Sequence, residues 1–221
     1  MDFETLKKQS LLIDTCALLA GQDCKTICFD EIKKYFLEPL FNGCEKILIH
    51  EAVLSELNLC LKWSRDVDYF LKSKIGTKVK IVSEKDLYGT DPKYTDIFSR
   101  ISACDVFGYR RTSIDLLHCP TKDRGEIASL AYAEYYEIPF FVSVDEGAFL
   151  AVEDLQSLFN VKVHGVELGV ALGYLSDSSQ RAKEILRIIY RVYGNPGILR
   201  GRIPKSMNVF LEQQGIIKQY K

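Results

Sequence analysis

A chain of 221 residues, 47% of them hydrophobic, is long enough to bury a full core as one domain or as one domain with an appendage. Its first residues carry Asp2, Glu4, Lys7 and Lys8, and the apolar run Leu11-Leu12-Ile13 stops at an aspartate, which fits neither a signal peptide nor a membrane span and makes a cytoplasmic protein the expectation. The formal charge of −1 hides an asymmetry, because residues 177–221 hold nine Lys or Arg against three Asp or Glu and leave residues 1–176 at −7.

In chain order, Leu11–Asp14 reads as a first strand, Asp30–Leu40 as a helix, Lys46–His50 as a second strand and Glu51–Lys72 as a long helix. Val79–Val82 is a third strand. From Ser83 to Lys122 the punctuation by Gly89, Pro92 and Pro120, with no strand signal, reads as an insertion holding one helix at Tyr94–Arg111. Asp123–Glu137 is helical, Phe140–Asp145 is a fourth strand, Gly147–Leu158 a helix and Val161–Val166 a fifth strand. Val166–Leu175 and Ser178–Tyr193 follow as helices, and Gly194-Asn195-Pro196-Gly197 is a stop. Near-continuous apolar strands alternating with helices predict an α/β fold, a parallel sheet of about five strands sandwiched by helices. The expected division is a main α/β unit at 1–176 and a basic helical extension at 177–221, either packed on it or free to bind a partner.

Seven cysteines, an odd number at irregular spacing, read as reduced thiols rather than a disulfide framework. Cys16, Cys24 and Cys28 invite a zinc reading, but the chain has no C-x-x-C pair and His50, His118 and His164 are scattered.

In a doubly wound sheet, ligands bind beyond the carboxyl ends of the strands, so an acid that abruptly ends an apolar strand is a functional candidate. Asp14 closes Leu-Leu-Ile-Asp-Thr and Asp145 closes Phe-Phe-Val-Ser-Val-Asp. Either aspartate could equally cap the helix that follows. Glu56 falls at the margin of the stripe Val53, Leu57, Cys60 and Leu61, where an acid either reaches out to water or faces a cleft in which a cation neutralises it. Asp123-Arg-Gly-Glu126 opens an alanine-rich helix with capping-box spacing, and the cap is the better account of Asp123. Gly125 and the small residues after it suggest close approach to the sheet, which would carry Glu126 to the mouth of the same cleft.

Taken together, Asp14-Thr15 after the first strand, Val53-Leu54-Ser55-Glu56-Leu57 after the second, Gly125-Glu126 opening an Ala-rich helix and Ser143-Val144-Asp145 ending the fourth strand resemble the PIN-domain family. The match covers most of the first 166 residues; the length of the chain, the 83–122 insertion and Glu126 where many members carry aspartate depart from the compact toxin-type pattern. The resemblance implies an endoribonuclease dependent on one or two Mg²⁺ or Mn²⁺ ions, a toxin or a stress or defence effector. Asp14 and Asp145 would be direct ligands and Glu126 a further one, with Glu56 binding a second ion or orienting the attacking water. Thr15 and Ser143 match hydroxyl positions that orient a carboxylate or a bound water, or are ordinary strand-end hydroxyls. Glu146 and Asp154 are outer candidates.

The tail combines Arg187, Arg191, Arg200, Arg202 and Lys205 with Tyr190 and Tyr193. That mixture suits a nucleic-acid backbone, a solvated helix face, or docking to an acidic partner such as an antitoxin or other inhibitor; a homodimer is also compatible. A phosphatase of the haloacid-dehalogenase type needs a second aspartate two residues after the first, where Cys16 stands. No P-loop or G-x-G-x-x-G is present. The rival from outside enzymology is a catalytically silent PIN-like module that binds RNA or protein, which would need broken acid sites, and none of the four acids is missing.

Overall fold

The computed structural model describes residues 3–22, 24–59, 63–104, 107, 123–176, 180–182, 184–185 and 187–188. Five strands, β1 (Ser10–Ile13), β2 (Lys46–His50), β3 (Val79–Val82), β4 (Phe140–Ser143) and β5 (His164–Glu167), form one wholly parallel sheet in the order β3-β2-β1-β4-β5. β1 is therefore central. The chain winds outward from it to β3 and then returns to its other side at β4, so the carboxyl end of β1 lies at the point where the winding reverses.

Strand periodicity explains why both faces are covered. Leu11 and Ile13, Ile47 and Ile49, and Phe140 and Val142 point into one apolar core, while Leu12, Leu48 and Phe141 point into the other. On the first face the sheet is covered by α1 (Thr15–Leu18), α2 (Phe29–Ile32), α3 (Glu38–Gly43), α4 (Glu51–Leu59), α5 (Ser64–Lys72) and α9 (Leu168–Leu175). On the second lie α6 (Pro92–Ser102), α7 (Arg124–Tyr135) and α8 (Glu146–Phe159). No helix among the described residues is long and apolar enough to cross a membrane.

Several boundaries differ from the sequence reading, and four of the differences have a local reason. The helix expected over Glu51–Lys72 is two helices, and Trp63, which precedes α5, takes a left-handed φ of 60°. Between α2 and α3 the helix widens into a π turn at Lys33–Leu37, one residue before Glu38-Pro39; proline lacks an N–H and crowds the carbonyl four residues back, which a wider turn relieves. The fifth strand begins at His164 rather than Val161, because Asn160 ends α8 in a left-handed conformation with φ 53° and Val161–Val163 is consumed in leaving the helix. The helix expected at Tyr94–Arg111 runs from Pro92 to Ser102, with Asp91 accepting from the N–H groups of Lys93 and Tyr94 and proline at the first helical position.

Within the segment read as an insertion, Tyr94, Phe98, Ile101 and Cys104 are buried in the second core, so this part belongs to the body of the fold. Residues 108–122 lie outside the described residues. Of the basic extension, residues 180–182, 184–185 and 187–188 are helical; Ala182, Ile185 and Ile188 are buried against the first core and Arg187 is exposed. Arg191, Arg200, Arg202 and Lys205 lie outside the described residues.

The end of α3 and the end of α9 meet with no room between them. A Cβ at Gly43 would sit 2.7 Å from Leu175 Cβ and 3.0 Å from Leu175 O. Gly43→Ala should lower unfolding stability by about 1–3 kcal/mol, the range for forcing a carbon into a packed contact. The check is a lower urea midpoint with an unchanged m-value; a wild-type midpoint would mean that the contact yields freely.

Candidate metal centre

Asp14 follows the last residue of the central strand and starts α1, so its side chain hangs at the carboxyl end of the sheet. Its backbone extends the ladder, donating N–H to Val142 O at 3.0 Å. The carboxylate is 0% exposed. Oδ1 accepts from the Thr15 N–H at 2.6 Å, and Oδ2 accepts from the Ser143 hydroxyl at 3.0 Å and from the Cys16 thiol. The helix cap and the buried acid, alternatives in the sequence, are thus the same residue. Burial raises the Asp14 carboxyl to about 6, against the lowering by its hydrogen bonds, and the Glu56 charge pushes it the same way as burial. Burial and the adjoining Asp14 push the Cys16 thiol up, which makes it a donor rather than a thiolate.

Glu56 enters from α4 and is gripped from two sides. Thr15 Oγ1 donates to Oε2 at 2.8 Å, and the Gly125 N–H donates to Oε1 at 2.6 Å. The second contact explains the glycine: a Cβ at position 125 would stand 2.6 Å from Glu56 Oε2. The close approach expected at Gly125 is therefore to a carboxylate rather than to the sheet.

Glu126 comes from the first turn of α7. Its Oε2 is buried without a hydrogen-bond partner, and burial followed by the Asp14 charge raises the carboxyl to about 9. No capping box forms, because Asp123 has φ 73° and its side chain makes no cap hydrogen bond. A left-handed Asp123 cannot present its carboxylate to its own helix, so both acids of the expected box are released from it, and Glu126 turns inward. Oxygens of Asp14, Glu56 and Glu126 lie within 4.8 Å of one another, a spacing at which the three can hold one metal ion. Carboxylate oxygens on opposite sides of a hard cation are about 4–5 Å apart, twice the usual metal–oxygen distance.

The structure does not bring Asp145 into this group. It is exposed and accepts from the Gly147 N–H at 2.7 Å as the cap of α8. Its link to the centre is indirect: the Asp145 N–H donates at 3.0 Å to the Ser143 hydroxyl, which donates to Asp14. In place of the direct ligation expected of Asp145 from its strand-end position, the structure shows this relayed contact, with the Asp145 carboxylate exposed and bound to the N–H of Gly147. Asp154 lies in the middle of α8 outside the acid group, and the Glu146 side chain is outside the described residues.

The sequence reading missed a second buried polar set beside the acids. His50, 0% exposed, ends β2; its Nδ1 accepts from the Ala52 N–H at 3.1 Å, which leaves Nε2 to bear the proton, 2.5 Å from Glu84 Oε2. Glu84 Oε1 lies 3.4 Å from Arg124 Nη2. Burial alone would raise the Glu84 carboxyl, but His50 and Arg124 outweigh it and hold the carboxyl below its ordinary range. Single residues separated by 34 and 40 positions carry no periodic signal, though a histidine closing an apolar strand just as Asp14 does was the available clue.

Two outcomes are expected of the metal-free protein. Because the folded values of Asp14 and Glu126 lie above their ordinary ones, these two groups hold more protons in the native state than in the unfolded chain between about pH 4 and pH 9, so their contribution to stability is lost as pH rises through that window. Glu126→Gln should flatten the upper part of that slope in thermal melts from pH 6 to 9; a slope equal to the wild type's would remove Glu126 from the buried cluster. Gly125→Ala should displace Glu56 and abolish most of the thermal stabilisation by Mn²⁺, measured as a melting shift against Mn²⁺ concentration; an unchanged shift would show that Glu56 is not needed for the ion. No protein-family model matches this chain, and no curated protein matches it.

Proposed function

We propose that the chain is a nuclease that uses Mg²⁺ or Mn²⁺ to hydrolyse phosphodiester bonds in RNA. The observation that supports this reading most directly is the convergence of Asp14, Glu56 and Glu126 at the carboxyl end of the central strand, with Glu126 Oε2 buried and lacking a hydrogen-bond partner. A buried carboxyl in such a place is stabilised in its ionised form by a cation, and an all-oxygen set of carboxylates suits a hard one. A cation bound by these residues would polarise the phosphate and make a water acidic enough to attack it.

In this reading each residue has one task. Asp14 and Glu126 would hold the ion, for which the Glu126 carboxyl would have to be ionised. Glu56, fixed by the Thr15 hydroxyl and the Gly125 N–H, keeps one orientation and so can align the attacking water. Ser143 and Cys16 orient the Asp14 carboxylate. Asp145 acts through Ser143 as a positioning residue rather than as a ligand. Arg187, exposed on the helical segment that packs against the domain, and the further bases of the tail would attract a polyanion to an otherwise acidic unit.

The test is cleavage of a mixed panel of RNA and single-stranded DNA with Mg²⁺ or Mn²⁺. Asp14→Asn and Glu126→Gln should each lower kcat/KM by about a hundredfold or more, the several kcal/mol that a bound ion contributes. Asp145→Asn should cost about tenfold, as expected for a residue that acts through another. Cleavage by Asp14→Asn at the wild-type rate would sink the reading.

A further inference from the structure

A cluster of three acids repels the polyanion that a nuclease must hold, so a fixed positive charge near it would add to the attraction that a bound cation supplies. Among the described residues, Arg124 is the cation nearest to these acids in the chain, two positions before Glu126 and adjacent to the Gly125 whose N–H holds Glu56. Its side chain is 31% exposed while the Glu84 side chain that it meets is 10% exposed and that of His50 is 0% exposed. The set thus runs from the protein interior outward: the Ala52 N–H donates to His50, His50 meets Glu84, Glu84 meets the Arg124 guanidinium, and of the three side chains only that of Arg124 is exposed to an appreciable extent. Burying an ionised carboxylate costs free energy that apolar residues in its place would not incur. A fold that keeps one here gains an arginine of defined direction, and a planar five-donor guanidinium matches phosphate oxygens in pairs.

We propose that Arg124 is a phosphate contact of this site, binding a backbone phosphate of the strand, and that Glu84 and His50 are positioning residues that aim it. This rests on the nuclease reading above. Arg124 touches substrate and not the reacting atoms, so its loss acts on binding. The Arg contact does not read the sugar, so RNA and DNA strands of one sequence lose the same factor when it is removed.

The experiment measures binding of a short fluorescent single-stranded RNA, and of the DNA of the same sequence, to the full chain with Ca²⁺ at several salt concentrations. Arg124→Ala should weaken both about tenfold and reduce the slope of log affinity against log salt by about 0.7, one phosphate contact on a single strand. Arg124→Lys should keep the salt slope and recover part of the affinity, since it keeps the charge and loses the fork. Glu84→Gln should weaken binding while leaving the Mn²⁺ midpoint in thermal shift unchanged. A merely structural Arg124 would lower the melting temperature and leave the salt slope intact, and that outcome overturns the proposal. Equal binding by wild type and Arg124→Ala sinks the Arg124 assignment and leaves the nuclease reading standing; a wild type that neither binds nor cuts either strand sinks both.

Discussion

Three carboxylates within 4.8 Å of one another at the end of a buried strand cannot all be ionised without a counterion, and much of the surrounding structure serves to keep them there. The apolar sheet supplies the low-dielectric floor that pushes Asp14 and Glu126 upward. The donors supply the opposite pull. Ser143, Cys16 and the Thr15 N–H converge on Asp14, and the Thr15 hydroxyl and Gly125 N–H on Glu56. Only Glu126 is left with an oxygen facing the others and nothing donating to it. The imbalance between burial and donation is felt at Asp14 and is greatest at Glu126, the two carboxylates that burial pushes upward.

The donors come from elements far apart in sequence, so the site also ties the fold together. Thr15 joins the end of β1 to α4, and Gly125 joins α4 to α7 across the switch point of the winding. His50, Glu84 and Arg124 make a second tie between the ends of β2 and β3 and the start of α7. The first turn of α7 is thereby held twice, once by a hydrogen bond to a carboxylate and once by an ion pair, with Asp123 at φ 73° absorbing the sharp entry between them. Backbone held in such a sparsely populated region persists where the neighbouring contacts over-determine it, which is the case here.

Much of the architecture was legible from the residues. β2 and β3 lie at the residues that the apolar runs mark, and the even and odd positions of β1, β2 and β4 sort into two cores because both faces of a parallel sheet are covered. Less was legible of the site. Strand-end position favoured Asp14 and Asp145 equally, yet burial separates them: Asp14 follows the central strand and is 0% exposed, whereas Asp145 opens α8 at the surface. The spacing of Asp123 and Glu126 is that of a capping box, but the left-handed backbone at Asp123 dissolves it, and backbone sign at a non-glycine residue leaves no trace in the spacing.

The sequence by itself determined the elements and the candidates: parallel strands from apolar runs, an acid at the end of the first of them, and a glycine placed beside Glu126. Those features depend on neighbours along the chain, where period and residue size suffice. Only the tertiary structure decided which acids share a cleft and which donors face them, because distance between Asp14, Glu56 and Glu126 is set by the winding order of the sheet. The same holds for His50, Glu84 and Arg124, whose partnership exists only once β2, β3 and α7 are brought side by side.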